Sequence, residues 1–197
     1  MDKFEQLDRL LANNGGIVKT SDVLEVGVSK PFFYEYLKVR KLEKASHGIY
    51  VSPEAWMDAM YVLSLRCKQA VFSHETALFL HDMTDREPTR YSVTVKAGYN
   101  PSKLTADGIT VYNIKKELHE LGVIEAKTPF GNTVPVYDME RTVCDIIRSR
   151  SSIEAQTFQD ALKQYAKRPD KNLRQLMRYA REFHVEKILK QYLEVLL

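Results

Sequence analysis

The chain has 197 residues, room for one large domain or two small ones with a proper core. Its 44% hydrophobic and 28% charged composition excludes wholesale disorder, and no apolar run reaches the length of a membrane span. The net charge of +3 is unevenly spread: residues 1–50 balance to +1, residues 51–145 to −3 and residues 146–197 to +5, which suggests two separate basic footprints.

In chain order, Leu7, Leu10 and Leu11 mark a first helix that stops at Asn13-Asn14-Gly15-Gly16. Thr20 to Val26 makes a short second helix closed by Gly27. The third helix runs from Ser29 to Lys38, with Ser29 as N-cap and Pro31 early enough to lose no intrahelical bond. Phe32, Phe33, Tyr36 and Leu37 recur at three- and four-residue spacing and predict one buried face. Lys30, Tyr34 and Lys38 fall at i, i+4 and i+8 on the opposite face, where two cations flanking a phenol suit phosphate oxygens and base edges in a major groove. Leu42 to Ser46 and Ile49 to Val51 flank His47-Gly48 and read as a hairpin. Helix, short helix, turn, helix and hairpin together predict a winged helix-turn-helix over residues 1–52 that binds double-stranded DNA. Its expected contacts are Ser29, Lys30, Tyr34, Lys38, Arg40, Lys41, Lys44 and, at the wing tip, His47. The plainer reading is a winged helix that is structural or binds protein, with His47 an ordinary turn residue.

Residues 53–197 form the expected second domain. Ser52-Pro53-Glu54 reads as the seam, followed by a helix over Ala55–Lys68 in which Trp56, Ala59, Met60, Leu63 and Cys67 fall at helical spacing, with Trp56 and its neighbours expected to pack the winged helix onto the second domain. Ser73 caps a helix from His74 to about His81. Tyr91–Ala97 and Ile109–Ile114 alternate as strands, and a short helix covers Lys115–Leu121. Val123–Thr128 and Thr133–Tyr137 frame a second hairpin at Phe130-Gly131-Asn132. From Glu140 the pattern is helical to the end. Ser151 with Glu154 reads as a capping box for a helix ending near Lys167-Arg168-Pro169, a further helix follows Asp170, and the last covers Val185–Leu197. The expected fold is therefore α+β: a winged helix, then a mixed α/β domain ending in a helical bundle. Arg174, Arg178 and Arg181 form a basic ridge, with Lys171, Lys163 and Lys167 close enough to extend it. The ridge suits nucleic acid or an acidic partner, and its plainer reading is a solvated helix face.

Other chemistry has weaker signals. Cys67, His74 and His81 are seven residues apart, but a new helix start at Ser73 breaks any shared face, so no metal site and no cofactor is expected. Two cysteines, Cys67 and Cys144, make no disulfide framework and fit a reducing compartment. Glu125 and Lys127 share one face of a strand, and with Asp107 they sketch a metal-dependent nuclease. No serine or cysteine hydrolase arrangement or phosphate-cradling glycine loop is present. The chain is expected not to be an enzyme. Its charged start, Met1-Asp2-Lys3-Phe4-Glu5, lacks a leader pattern, so a cytoplasmic location is expected.

Behind the winged helix stand Phe72-Ser73-His74-Glu75-Thr76-Ala77-Leu78-Phe79-Leu80-His81, Tyr91-Ser92-Val93-Thr94-Val95 and Glu140-Arg141-Thr142-Val143-Cys144-Asp145-Ile146-Ile147-Arg148. In this order they make the chain resemble the AbiEi family of bacterial antitoxins, regarded as transcriptional regulators of phage abortive-infection systems. The resemblance implies autorepression through inverted repeats in the chain's own promoter, bound by Lys30, Tyr34 and Lys38. It also implies a C-terminal domain that neutralises a nucleotidyltransferase-like toxin, AbiEii, without a stable complex, as in type IV toxin-antitoxin pairs. The alternative is a DNA-binding regulator whose second domain senses a ligand or dimerises. Glu140, Arg141, Thr142 and Asp145 enter as family markers, and an i,i+4 ion pair between Arg141 and Asp145 is the modest explanation for two of them.

Overall fold

The computed structural model describes the backbone of residues 2–196 and the side chains of residues 2–194. Two compact units emerge. The first comprises residues 1–68 with 128–132, the second residues 69–127 with 133–197.

The first unit holds α1 (Lys3–Asn13), β1 (Ile17–Lys19), α2 (Thr20–Glu25), α3 (Lys30–Val39), β2 (Glu43–Ser46), β3 (Ile49–Val51) and α4 (Ala59–Arg66). The three strands form an antiparallel sheet in the order β1-β3-β2. Strand β1 is too short to be seen by periodicity, and it is fixed by its register, with Ile17 opposite Val51 and Val18 opposite Tyr50. Alternation then gives the sheet two apolar faces. Val18 joins Leu7, Val23, Val28, Phe33, Tyr36 and Leu37 in the core under α1, α2 and α3, with Tyr50 packed against it. Ile17, Ile49 and Val51 face the other way and are covered by Val62 of α4. Because α4 closes this second face, the unit runs past Ser52 to Lys68.

Two sequence expectations change here. Helix α4 begins at Ala59, where Asp58 is the N-cap and its Oδ1 accepts from the Tyr61 N–H at 3.0 Å. Helical spacing therefore does not apply at Trp56, which lies in the preceding loop and, at 82% exposure, does not take the packing role expected of it. Asp58 is also a hub that sequence reasoning missed: its Oδ2 accepts from Thr128 Oγ1 at 2.6 Å and Asn132 Nδ2 at 2.8 Å, tying the 128–132 loop into this unit.

The second unit is built on a mixed sheet, order β6-β5-β4-β8-β7, of β4 (Val71–Phe72), β5 (Ser92–Lys96), β6 (Thr110–Ile114), β7 (Val123–Lys127) and β8 (Thr133–Tyr137). Strand β4 runs antiparallel to β5 and parallel to β8, β5 and β6 are parallel, and β7 and β8 form the expected hairpin. Helices α5 (His74–Leu80), α6 (Ser102–Ala106) and α7 (Lys116–His119) lie in the connections. Helices α8 (Met139–Arg148), α9 (Ala155–Lys167), α10 (Leu173–Glu182) and α11 (Glu186–Leu196) complete the chain; Leu197, the last residue of the expected final helix, lies outside the described residues. With helices interspersed among the strands of two separate sheets, and a run of four helices at the end, the chain is mixed α and β, consistent with α+β.

Helix α8 is the axis of this unit. Every residue from Glu140 to Ile147 is buried, so it is covered on all sides. Val143, Ile146 and Ile147 share a core with Phe158, Leu162 and Tyr165 of α9, Leu176 and Ala180 of α10, and Leu189 of α11. The capping box expected at Ser151 does not form. Helix α9 starts at Ala155 after Glu154, and Ser151 lies in the turn leaving α8.

Candidate nucleic-acid interface

In the first unit, Ser29 occupies the N-cap of α3 with extended backbone (φ −71°, ψ 151°), and its carbonyl accepts from the Phe33 N–H at 3.0 Å. Its hydroxyl makes no capping bond. Phe33, Tyr36 and Leu37 are buried and Phe32 half-buried, so Lys30, Tyr34 and Lys38 are turned to solvent, Tyr34 at 49% exposure. Helix α3 ends in a Schellman motif: the Leu42 N–H bonds the Leu37 carbonyl at 2.9 Å and the Lys41 N–H bonds that of Lys38. This places Lys41 in the left-handed region at φ 53° and turns the chain into β2. Lys44 is exposed on β2, and His47 is exposed at the hairpin tip beside Gly48, whose φ of 70° the tight turn requires.

Lys30, Lys38, Lys41 and Lys44 therefore stand on α3 and the hairpin with no ion pair among the described residues. Arg40 departs from the expected set. Its guanidinium is bound by Asp8 of α1, Nε to Oδ1 at 3.0 Å and Nη2 to Oδ2, and lies over the Phe4 ring at 5.9 Å. Sequence reasoning had no access to this partner, 32 residues away.

The second unit carries the other basic cluster. Arg174, Arg178 and Arg181 are exposed on α10 and, with Asn172 and Gln175, line a shallow recess of about 340 Å³. Arg178 Nη2 donates to Gln175 Oε1 at 3.3 Å, and Arg181 Nε is 3.5 Å from Glu186. Lys171 Nζ donates to the Arg168 carbonyl. Lys163 and Lys167 are exposed on α9 but do not line the recess. The cluster is thus narrower than expected and centred on α10.

A comparison with protein-family models finds no match, and one with curated proteins finds none. Among solved structures, similar chains are found. The chain matches the crystal structure of the Rv2827c protein from Mycobacterium tuberculosis with a TM-score of 0.60 at 15% identity, over 91% of this chain and 71% of that one. At that identity the likeness is one of fold alone.

The three remaining sequence stretches converge in the second unit on buried polar networks. Arg141 and Asp145 do pair, Nε to Oδ2 at 2.9 Å, with both side chains fully buried. The Arg141 guanidinium is sandwiched between the Tyr137 and Phe183 rings at 4.0 and 4.1 Å, and its Nη1 donates to the Leu118 and Leu121 carbonyls at 2.8 and 2.7 Å. Glu140 Oε1 accepts from the Tyr165 hydroxyl at 3.0 Å and the Asn172 N–H at 2.8 Å, clipping α9 and the start of α10 to α8. Thr142 Oγ1 donates to the Tyr137 carbonyl. His74, with φ 49°, is buried between Ser73 Oγ and Ser149 Oγ, each 3.0 Å from a ring nitrogen, and stacks on Tyr112. Burial, with the Arg148 and Arg141 charges, holds its imidazole well below the usual range and therefore neutral.

These bonds also occupy the histidines of the seven-residue spacing, since His81 Nε2 donates to the Tyr137 carbonyl at 2.6 Å. Among the described residues no group of three or more His, Cys, Asp or Glu is placed to hold a metal, and no helix is long and apolar enough to cross a membrane. Glu125 and Lys127 do share an exposed face of β7, where Lys127 Nζ donates to Thr133 Oγ1. Asp107, however, leads into β6 at the opposite edge of the sheet, with β5, β4 and β8 between. At roughly 4.8 Å per strand that is about 19 Å, too far for one metal to bridge them.

Proposed function

We propose that this chain is a DNA-binding transcriptional autorepressor and antitoxin of the AbiEi type, acting in the cytoplasm and without catalysis of its own. In this reading the first unit is a winged helix: α2 and α3 form the helix-turn-helix, α3 enters the major groove, and β2–β3 is the wing. The observation that carries it is the set of unpaired cations, Lys30, Lys38, Lys41 and Lys44, on the recognition helix and wing, with Tyr34 between the first two. Lysines in such positions neutralise phosphates and fix the helix's register, while the Tyr34 hydroxyl reaches base edges. A single module of this size binds weakly, and inverted repeats in the chain's own promoter let two copies combine their contacts. The Arg174, Arg178 and Arg181 cluster supports a role for the second unit in countering a nucleotidyltransferase-like toxin or in further phosphate contact, with no stable toxin complex required.

The test is a reporter fused to the chain's own promoter. Wild-type protein is expected to lower its output, and Lys38→Ala, at equal protein level, to restore it. Output unaffected by wild-type protein would remove the repressor reading.

A second reading has one observation in its favour. A recess of about 330 Å³ in the second unit is lined by Glu75, Arg86, Glu87, Arg90, Ser92 and Glu154 among others, and a regulator sensing a small polar ligand would use such a site. Under that reading the second unit carries no antitoxin activity, and the protein fails to rescue cells that express the toxin.

A further inference from the structure

Asp8 of α1 is bound to the end of the proposed recognition helix by three donors. Oδ1 accepts from the Tyr36 hydroxyl at 2.8 Å and from Arg40 Nε at 3.0 Å, and Oδ2 pairs with Arg40 Nη2. The Arg40 and Asp8 side chains remain 46% and 38% exposed. An exposed ion pair of this kind contributes little to stability. Its larger effect is on charge. Arg40 is the C-cap of α3, immediately before Lys41 and two residues after Lys38, among the cations assigned to phosphates. Bound to Asp8, the Nε and Nη2 edge of its fork is occupied and the pair presents no net charge to a duplex.

We propose that Asp8 is a positioning residue that withholds Arg40 from the phosphate backbone, so that the interface engages one phosphate fewer than its count of cations allows. The assignment rests on the reading of the first unit as the DNA-binding module. Phosphate contacts supply essentially all non-specific affinity, and each one neutralised steepens the fall of log K with log salt by about 0.9. A protein that must find one operator among many competing sites is helped by weak non-specific binding. Asp8 supplies this by engaging a guanidinium that is otherwise well placed for DNA. The same carboxylate holds Tyr36, and with it α3, against α1, so the orientation of the helix and the silencing of Arg40 depend on one residue.

The test uses the full chain and a labelled duplex of scrambled sequence, titrated by fluorescence anisotropy between about 50 and 200 mM salt. Asp8→Asn keeps the size of the side chain and an oxygen that can accept from Tyr36, and removes the charge. It is expected to steepen the salt slope by about 0.9 and to tighten low-salt binding several-fold. Arg40→Ala in the wild-type background is expected to leave the slope unchanged, and Asp8→Asn with Arg40→Ala to return it to the wild-type value. A purely structural role for Asp8 predicts weaker binding in Asp8→Asn, never a steeper slope.

Three results would overturn the assignment while leaving DNA binding in place. One is an unmoved slope in Asp8→Asn. Another is a double variant as steep as Asp8→Asn, which would attribute the gain to the lost carboxylate alone. The third is a slope flattened by Arg40→Ala, which would place Arg40 on a phosphate already; this arm stands even if Asp8→Asn fails to fold. Wild-type protein with no salt-sensitive binding to any duplex removes the DNA-binding reading itself, and this assignment with it.

Discussion

Arg141 and Asp145 show what a buried pair demands. Two fully buried charges are costly unless they compensate each other; here two carbonyls accept from Arg141 Nη1, two aromatic rings cover the guanidinium and Arg148 lies 3.6 Å from Asp145 Oδ1, while Arg141 Nη2 and Asp145 Oδ1 find no hydrogen-bond partner among the described residues. Burial still raises the Asp145 carboxyl against the pull of the Arg141 and Arg148 charges. Removing one partner leaves the other uncompensated, so Asp145→Ala is expected to lower unfolding free energy by about 3–5 kcal/mol in urea denaturation. A loss under 1 kcal/mol would mean that the pair does not organise α8. His74 gives a pH dependence of opposite origin. Its folded-state pKa is depressed, so the unfolded chain binds more protons in acid; stability is full above the unfolded value near pH 6.5 and is lost as pH falls below it, by about 1.4 kcal/mol per pH unit. Arg148 and Arg141 place positive charge near the ring, and it stacks on Tyr112, whose phenol is pushed up to about 12 by burial first. Urea melts between pH 7 and 5 should show the slope in wild type and a flatter one in His74→Gln. Equal slopes would assign the acid sensitivity to other groups.

At the scale of elements, legibility followed chemistry that is local in sequence. The faces of α3 were readable because Phe33, Tyr36 and Leu37 repeat at helical spacing, and the β2–β3 and β7–β8 hairpins because Gly48 and Gly131 mark their turns. Strand β1, three residues long, was invisible because only its pairing with β3 defines it. Trp56 was misplaced because a side-chain cap at Asp58 moved the helix start by four residues, and Arg40 because its partner lies on another helix. Ser151 failed as a cap although Glu154 stood at the right spacing, since the chain stays in a turn until Glu154. The face of α10 was legible from the i, i+4 and i+7 arginines, and the recess confirms that Arg174, Arg178 and Arg181 share a surface. Because these three are exposed, the paired change Arg174→Ala with Arg178→Ala should leave the melting temperature within about 2 °C of wild type. It should also reduce growth rescue in cells expressing the nucleotidyltransferase-like toxin. A large drop in melting temperature would make the cluster structural, and full rescue would remove it from the antitoxin role.

For the whole molecule, the order of elements was easier to read than their grouping. A boundary at Ser52 follows from the loop-like Ser52-Pro53-Glu54, whereas the compact unit needs α4 to cover Ile17, Ile49 and Val51 and takes in residues 128–132 from further along the chain. The motifs that prompted the family resemblance proved to be largely internal: Ser73, His74, Thr76, Ser92, Thr94, Glu140, Arg141, Thr142 and Asp145 are all buried. They specify how the second unit is held together, and the proposed function falls instead on exposed lysines and arginines that such motifs do not include. The central claim is that the first unit reads DNA, and fluorescence anisotropy of the full chain on its own upstream duplex beside a scrambled one, at several salt concentrations, tests it most directly. Tight, salt-sensitive binding that prefers the upstream duplex, with a slope flattened by about 0.9 in Lys38→Ala, is the predicted result. Equal and weak binding to both duplexes, or a slope indifferent to Lys38, would contradict it.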